Sequence, residues 1–336
     1  MLAEKASIVR SGLSPVKTPA GRTKVERQLK VLCATRALSR SDATVWRAHA
    51  IARELGAQLL LLHVVEFATP MRTVRRRGAL AYSVLDASAR SLGLDSEYIS
   101  VRSGQPHRTI ADAAIEWDAD LIVIGPYRRR FGESVRGTSA ERIARRAGRP
   151  VLVVNLETTE PYRNVLLTSD LSRMSAGIAG VTKELGLLQR SKPAVVHALE
   201  HTRNAMLYMA GVTRTELRKC QRSMRQVAAD EINVQLSEVG LDPAQFNIFS
   251  PQVSATRAIE QIAKRTGSQL IVVGSSRFPE LKRFFIGSVS NDILRGGQHD
   301  VLLVSPMAAR RVRRRAGAIA ADPKSTARPQ RSQELH

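Results

Sequence analysis

Leu121-Ile122-Val123-Ile124-Gly125 and Leu270-Ile271-Val272-Val273-Gly274 are one five-residue pattern written twice in a chain of 336 residues. Each is an apolar run of strand length that ends on a glycine. Three more pairs surround it. Val31-Leu32-Cys33-Ala34-Thr35 answers Val165-Leu166-Leu167-Thr168-Ser169, and Val151–Val154 answers Val301–Val304. Leu61-Leu62-His63-Val64-Val65-Glu66 answers Val195-Val196-His197-Ala198-Leu199-Glu200. The offset is 134 at the two opening pairs and 149 and 150 at the later ones, so the second copy carries about fifteen extra residues. They fall between Glu200 and Phe246, in a stretch that reads as one long helix. A repeat of this period is a duplicated domain.

Inside each copy, short continuous apolar runs alternate with stretches of helical period. Continuous runs suit strands buried on both faces, as in a parallel sheet covered by helices. The first copy reads as strands 30–35, 58–65, 96–102, 120–124 and 150–155. Its helices read 42–55, near 78–92, 106–117 and 138–147. The second reads as strands 164–168, 193–198, 245–250, 269–273 and 300–305. Its helices read 174–187, near 203–239, 255–265 and 288–295. The fold class is α/β, with two tandem doubly wound, Rossmann-like parallel-sheet domains. Residues 1–27 and 308–336 are expected as basic tails, 28–156 and 161–307 as the domains. Ligands of such sheets bind beyond the carboxyl ends of the strands, so chemistry is sought after the first, second and fourth strand of each copy.

Composition narrows the class. Hydrophobic residues make up 43% and aromatics only 4%, so the cores must be aliphatic. No signal segment opens the chain, and no apolar run approaches the roughly 20 residues that span a bilayer. The expectation is a cytoplasmic protein with no membrane contact. Cys33 and Cys220 have no metal or redox spacing and read as ordinary thiols. The net charge is +22. Residues 1–27 hold six Lys/Arg against two Glu, or +4, and residues 308–336 hold eight against two acids, or +6. Such charge favours anionic partners and says nothing about fold.

The fourth-strand loop of the second copy runs Gly274-Ser275-Ser276-Arg277 and closes on Gly287-Ser288. A glycine after a strand admits a ligand to the backbone, and a glycine and hydroxyl opening a helix offer amide donors at its positive end. Together they read as a phosphate cradle, with Ser288 and Ser290 as side-chain donors. Taken in order and in both halves, these landmarks resemble the universal stress protein family. That family has a G-x2-G-x9-G-[ST] loop, an opening V-L-x-x-x-D-x-S strand and an L-L-H-V-type strand. The resemblance covers roughly 28–156 and 161–306. It implies an adenine nucleotide alpha hydrolase-like fold, with the two copies packed as a pseudo-dimer through their last strands.

In ATP-binding members of the family the aspartate ending the first strand lies on the ribose and adenine side. The residue after the second-strand histidine lies by the adenine, and the glycine loop holds the phosphates. Carried to the second copy, the resemblance implies Asp170, Ala198, Val273, Gly274, Arg277, Gly287, Ser288, Val289 and Ser290 as the nucleotide site. Arg277 departs from the pattern by replacing the middle glycine. The first copy is degenerate, with Arg36 in place of the aspartate and Arg128 in place of the middle glycine. Val64, Ile124, Gly125, Gly137 and Thr138 complete its counterpart set.

The local alternatives are structural. His63 and His197 read as hydrogen-bonded core histidines, Gly125 and Gly274 also as turn glycines, and Asp170-Leu171-Ser172 also as a helix cap. His197 and His201 lack an acidic partner for a zinc motif. The chain has no P-loop, no G-x-S-x-G elbow, and neither the H-x-G-H nor the S-G-G-x-D-S motif of related adenylate enzymes, so no catalytic residue is expected. The expected function is that of a non-enzymatic tandem stress-response or regulatory protein, with ATP or another adenine nucleotide as the one candidate ligand, in the second domain only. The alternatives are a polyanion (nucleic-acid) associated protein using its arginine-rich tails and first glycine loop, and an ATP-hydrolysing enzyme on the same fold. The basic clusters are Arg72, Arg75, Arg76 and Arg77, placed ahead of the second helix, Arg128–Arg130 in the first glycine loop, and Arg310–Arg315 in the tail, with solvated surface charge as their default reading. Expected partners are the two domains for each other, a second copy of the chain, and an anionic partner through Arg310–Arg315.

Overall fold

Each apolar run singled out in the sequence forms a strand, because each is short, aliphatic and covered on both faces. The computed structural model describes residues 28–37, 42–66, 71–95, 98–126, 138–158, 160–199, 213–251, 253–275 and 288–311. The first domain runs β1 (Lys30–Ala34), α1 (Ala43–Leu55), β2 (Gln58–Val65), α2 (Met71–Ser91), β3 (Ile99–Ser103), α3 (Pro106–Glu116), β4 (Leu121–Ile124), α4 (Ser139–Ala147) and β5 (Val151–Val153). The second runs β6 (Asn164–Thr168), α5 (Arg173–Glu184), β7 (Lys192–Val196), α6 (Arg214–Glu238), β8 (Asn247–Phe249), α7 (Ala255–Thr266), β9 (Leu270–Gly274), α8 (Ser288–Gly296) and β10 (Asp300–Val304).

The strands form one ten-stranded sheet in the order β3-β2-β1-β4-β5-β10-β9-β6-β7-β8. All pairings within a domain are parallel, and the seam between β5 and β10 is antiparallel. The order is palindromic, as a twofold relation between the copies requires. The register fixes the axis. Leu152 faces Leu302, its own equivalent, while Val151 faces Leu303 and Val153 faces Val301. A contact in which a residue meets its own counterpart is isologous, and it removes the exposed edge that each domain would otherwise carry. One core layer holds Leu152 and Leu302 with residues of α1, α2, α5 and α6. The layer on the other face holds residues of α3, α4, α7 and α8 with Val151, Val153, Val301 and Leu303.

Two expectations are corrected. The arginines expected ahead of the second helix lie inside it, since α2 begins at Met71. Met and Arg favour helix strongly, and no apolar period marks this half because its first buried residue is Gly78. Apolar packing also continues past the tail boundary expected at residue 308. Residues 306–311 are helical, and Ala308 and Ala309 are 2% and 3% exposed. A Cβ on Gly177 of α5 would lie 2.6 Å from the Cβ of Ala309, so the glycine lets this segment lie directly on α5. Arg311 extends to Asp118, which also receives Arg149 at 2.6 Å. The rest of both tails, the N-terminal part of the helix expected near 203–239, and Arg128–Arg130 lie outside the described residues.

The other side of the seam is held by charge. Asp300, at the start of β10, is fully buried, and its Oδ1 accepts the backbone N–H groups of Asn155 (2.7 Å) and Leu156 (2.8 Å). Its Oδ2 accepts the Tyr162 hydroxyl at 2.6 Å and lies 3.4 Å from Nε of Arg47, a residue of α1 that is 1% exposed. Arg47 donates through Nη1 to the Glu160 carbonyl at 2.5 Å and stacks on the Tyr162 ring, 4.5 Å from its centroid. Residues 155–162, which join the domains, are thus tied to both.

Candidate functional site

The sheet order puts β6 between β7 and β9, so the loops after these three strands open side by side. Helix α5, after β6, covers one face, while α8, after β9, covers the other, which makes the β6/β9 boundary the switch point. Asp170 follows β6, Ala198 follows β7, and Gly274 ends β9, so the fold brings these three together. Arg277 and Gly287 lie outside the described residues, as does Gly137 of the first domain.

Asp170 is exposed and helps to build its own loop. Its Oδ1 accepts the Ser172 N–H at 2.8 Å and the Ser175 hydroxyl at 3.0 Å. Leu171 then takes φ +59°, and its carbonyl accepts from Gln235 of α6 at 3.1 Å. The first domain repeats the backbone without the carboxylate. Ala37 has φ +49°, and its N–H donates to Thr35 Oγ1 at 3.1 Å, as that of Leu171 does to Ser169 Oγ. Left-handed residues other than glycine are costly and collect at sites the surrounding structure constrains. Arg36 stands exposed where Asp170 has its equivalent. A carboxylate that the sequence reading passed over lies close by. Asp42 caps α1 through Thr44 and is hydrogen-bonded by the Thr35 hydroxyl.

His63 and His197 do the same thing in each copy. The Nδ1 of His63 lies 3.0 Å from the Thr35 carbonyl, and that of His197 lies 3.0 Å from the Ser169 carbonyl. A carbonyl only accepts, so Nδ1 carries the proton in both. Burial lowers the pKa of His63 below the ordinary imidazole value, against the pull of that bond. These are positioning groups that tie the second strand to the exit of the first. The glycines ending the fourth strands also have packing reasons. A Cβ on Gly125 would lie 3.0 Å from Thr44 Oγ1, and one on Gly274 would lie 3.0 Å from Ile178 Cδ1.

The two domains part at the helix after the glycine loop. In the first, Thr138 is 1% exposed and forms a capping box with Glu141. The Thr138 N–H donates to Glu141 Oε2 at 2.9 Å, and the Glu141 N–H donates to Thr138 Oγ1 at 3.3 Å. Burial raises the Glu141 pKa, while the bonds from Thr138 act the other way. A carboxylate of the chain thus occupies the helix N-terminus where an anionic ligand would sit. The same offset of 150 carries Glu141 to Asn291. Its Oδ1 is buried and has no hydrogen-bond partner among the described residues. Of the remaining candidates, Val273 is 2% exposed in the core, and Val289 packs against that core. Ser290 is buried and lies 3.5 Å from Glu141 Oε1, across the seam. Ile124 is buried, and Val64 and Ala198 are partly buried against the same layer. Sequence reasoning missed Glu141 and Asn291, although Thr138-x-x-Glu141 is a capping-box spacing.

The fold is a tandem pair of doubly wound, Rossmann-like α/β domains joined through their last strands. The model of the universal stress protein family matches residues 29–155 and again 161–305, and the chain belongs to that family. Solved structures share the architecture. A putative universal stress protein from Pseudomonas aeruginosa UCBPP-PA14 is 17% identical, with a TM-score of 0.55, over 86% of this chain and 97% of its own. A universal stress protein from Archaeoglobus fulgidus DSM 4304 is 15% identical, with a TM-score of 0.54, over 82% and 98%. A protein of unknown function from Pseudomonas aeruginosa PAO1 is 18% identical, with a TM-score of 0.55, over 86% and 97%. No curated protein matches the chain. Among the described residues no helix is long and apolar enough to cross a membrane, and no group of three or more His, Cys, Asp or Glu is placed to hold a metal ion.

Proposed function

We propose that the protein is a non-enzymatic stress-response or regulatory protein whose second domain binds an adenine nucleotide, with ATP as the first candidate. The observation that carries this reading is the difference between Glu141 and Asn291. The first domain closes its helix N-terminus with its own carboxylate, whereas the corresponding residue of the second is a neutral amide. The strand-exit residue follows suit, being Arg36 in the first domain and Asp170 in the second. A ribose needs a hydrogen-bond acceptor, which Asp170 offers and Arg36 does not. The residues described around the β6/β9 boundary fit such a ligand, with Asp170 and Ala198 on the nucleoside side and Gly274 and the start of α8 on the phosphate side.

Calorimetric titration of ATP into the full chain tests this. One site per chain is expected. Asp170→Ala removes a charge-assisted hydrogen bond, typically about 1.5–3 kcal/mol, and should weaken binding tenfold or more. Asn291→Glu installs the first domain's self-cap and should abolish binding with no loss of fold by circular dichroism. Absence of heat with the unmodified protein, or unchanged binding in both variants, rejects the site.

A further inference from the structure

Helices α2 and α6 occupy equivalent places and end alike. Leu92-Gly93-Leu94-Asp95 after α2 corresponds to Val239-Gly240-Leu241-Asp242 after α6, an offset of 147. By that offset the buried Ala81 and Leu85 match the buried Ala228 and Ile232. Both helices lie on the same face of the sheet, over its two ends, and each begins at the carboxyl end of its domain's strands. In both, the N-terminal part has no described buried side chain. The first buried residue is Gly78 in α2 and Ala228 in α6. At 1.5 Å per residue these uncovered parts are about 10 Å and about 20 Å long.

Their charge is of one sign. The first carries Arg72, Arg75, Arg76 and Arg77, all exposed. The second opens with Arg214 and exposes Arg218, Lys219, Arg222 and Arg225. Arg72 and Arg75 correspond to Lys219 and Arg222. The single acid in the second stretch, Glu216, is occupied by its capping box with Thr213. None of the eight exposed cations makes an ion pair among the described residues. At 100° per residue, Arg218, Lys219, Arg222 and Arg225 fall on one stripe, and Arg72, Arg75 and Arg76 fall on another. Helix propensity alone does not explain two like-charged overhangs. Like charges at this spacing repel and destabilise a helix unless a counter-charge is supplied.

We propose that the basic N-terminal halves of α2 and α6 form a paired phosphate-contact surface for nucleic acid. Arginine is the residue suited to bidentate phosphate contact, and it supplies seven of the eight exposed cations. An anionic membrane would need an apolar face to insert beside the basic one. Here Leu217 and Met224 are partly buried, and the exposed large apolar side chains of the two stretches, Met71 and Val227, stand singly at their ends and form no such face. The tail is the weaker candidate, because Arg311 is engaged by Asp118.

The test is fluorescence anisotropy of a labelled 30-base-pair duplex with the full chain, from 50 to 300 mM salt. Each phosphate neutralised adds about −0.9 to the slope of log affinity against log salt. Replacing Arg72, Arg75, Arg76 and Arg77 by Gln, or Arg218, Lys219, Arg222 and Arg225 by Gln, should make the slope shallower by about 2–4 in each case. The combined variant should lose measurable binding. Arginine-to-lysine versions should keep the slope and show that fold is not the cause. A slope unchanged in the Gln variants but lost on removing residues 312–336 overturns the proposal. So does capture by phosphatidylglycerol vesicles without duplex binding, or no duplex binding at 50 mM salt.

Discussion

His63 shows how one side chain links strand pairing to pH. Its ring is held by the Thr35 carbonyl, and burial lowers its pKa. The pKa of His49 is also lowered, by burial first and then by Arg53. A base with a depressed folded pKa is protonated in the unfolded chain before it is protonated in the fold. Stability is therefore full above the unfolded value near 6.5 and declines as pH falls below it toward the folded pKa. Glu141 acts in the opposite sense. Its folded pKa is raised, so its contribution is lost as pH rises above the ordinary carboxylate value through the folded one. The expected outcome is a melting temperature that drops between pH 7.5 and 5.5, with a shallower drop in His63→Asn. Equal drops in the two proteins would mean that His63 is protonated as readily in the fold as out of it. His197 makes the same bond, so the structural reading of both histidines was legible from an apolar strand with one polar residue. The reason for Gly125 and Gly274 was not, because the atoms that crowd them, on Thr44 and Ile178, lie about 80–100 residues away in sequence.

At the scale of elements, the contact between α5 and residues 306–311 gives a substitution whose sign is informative. Alanine is a better helix former than glycine by about 1 kcal/mol, so Gly177→Ala should stabilise an α5 with nothing against it. In the protein the new methyl would lie 2.6 Å from the Cβ and 3.2 Å from the Cα of Ala309. Overpacking of this kind costs about 1–3 kcal/mol. Urea unfolding should therefore show Gly177→Ala destabilised in the full chain and stabilised in a chain that ends at residue 305. A gain in both would remove the segment from α5. The sequence left this segment unread because Ala308 and Ala309 are two small residues just ahead of an arginine run, with no apolar period, and their partner lies in another element. Strands were legible for the opposite reason. Eight largely buried aliphatic strands carry their own signal, and the repeat doubles it, whereas β3 and β8 lie at the ends of the sheet without a buried residue. Helix α2 sat between these cases. Its core half was read from period, and its arginine half could not be, since that half has no core to impose one.

For the whole molecule the question is whether two domains sharing one sheet also share one unfolding transition. The twofold of the seam is obeyed by Leu152 and Leu302 and broken by charge. The offsets of 150 and 134 carry Asp300 back to Pro150 and Arg47 forward to Val181, so the equivalent position on the other side is apolar. Nature of the contact and place in the chain agree. The charged side is where residues 155–162 leave the first domain for the second, and a buried carboxylate there collects two backbone N–H groups, a hydroxyl and a guanidinium. Replacing one member of a buried pair typically costs about 3–5 kcal/mol, because the other charge is left unpaired. Asp300→Ala should cost that much and should also separate the single calorimetric transition expected of the native chain into two, as the tie between the domains is lost. Arg47→Met should cost less, because the Asp300 carboxylate keeps three hydrogen-bond donors. A native chain that already unfolds in two steps would show that the continuous sheet does not couple the domains. If instead Asp300→Ala melts in one step at the native temperature, the buried cluster serves neither stability nor coupling, and the apolar register of β5 on β10 alone holds the copies together.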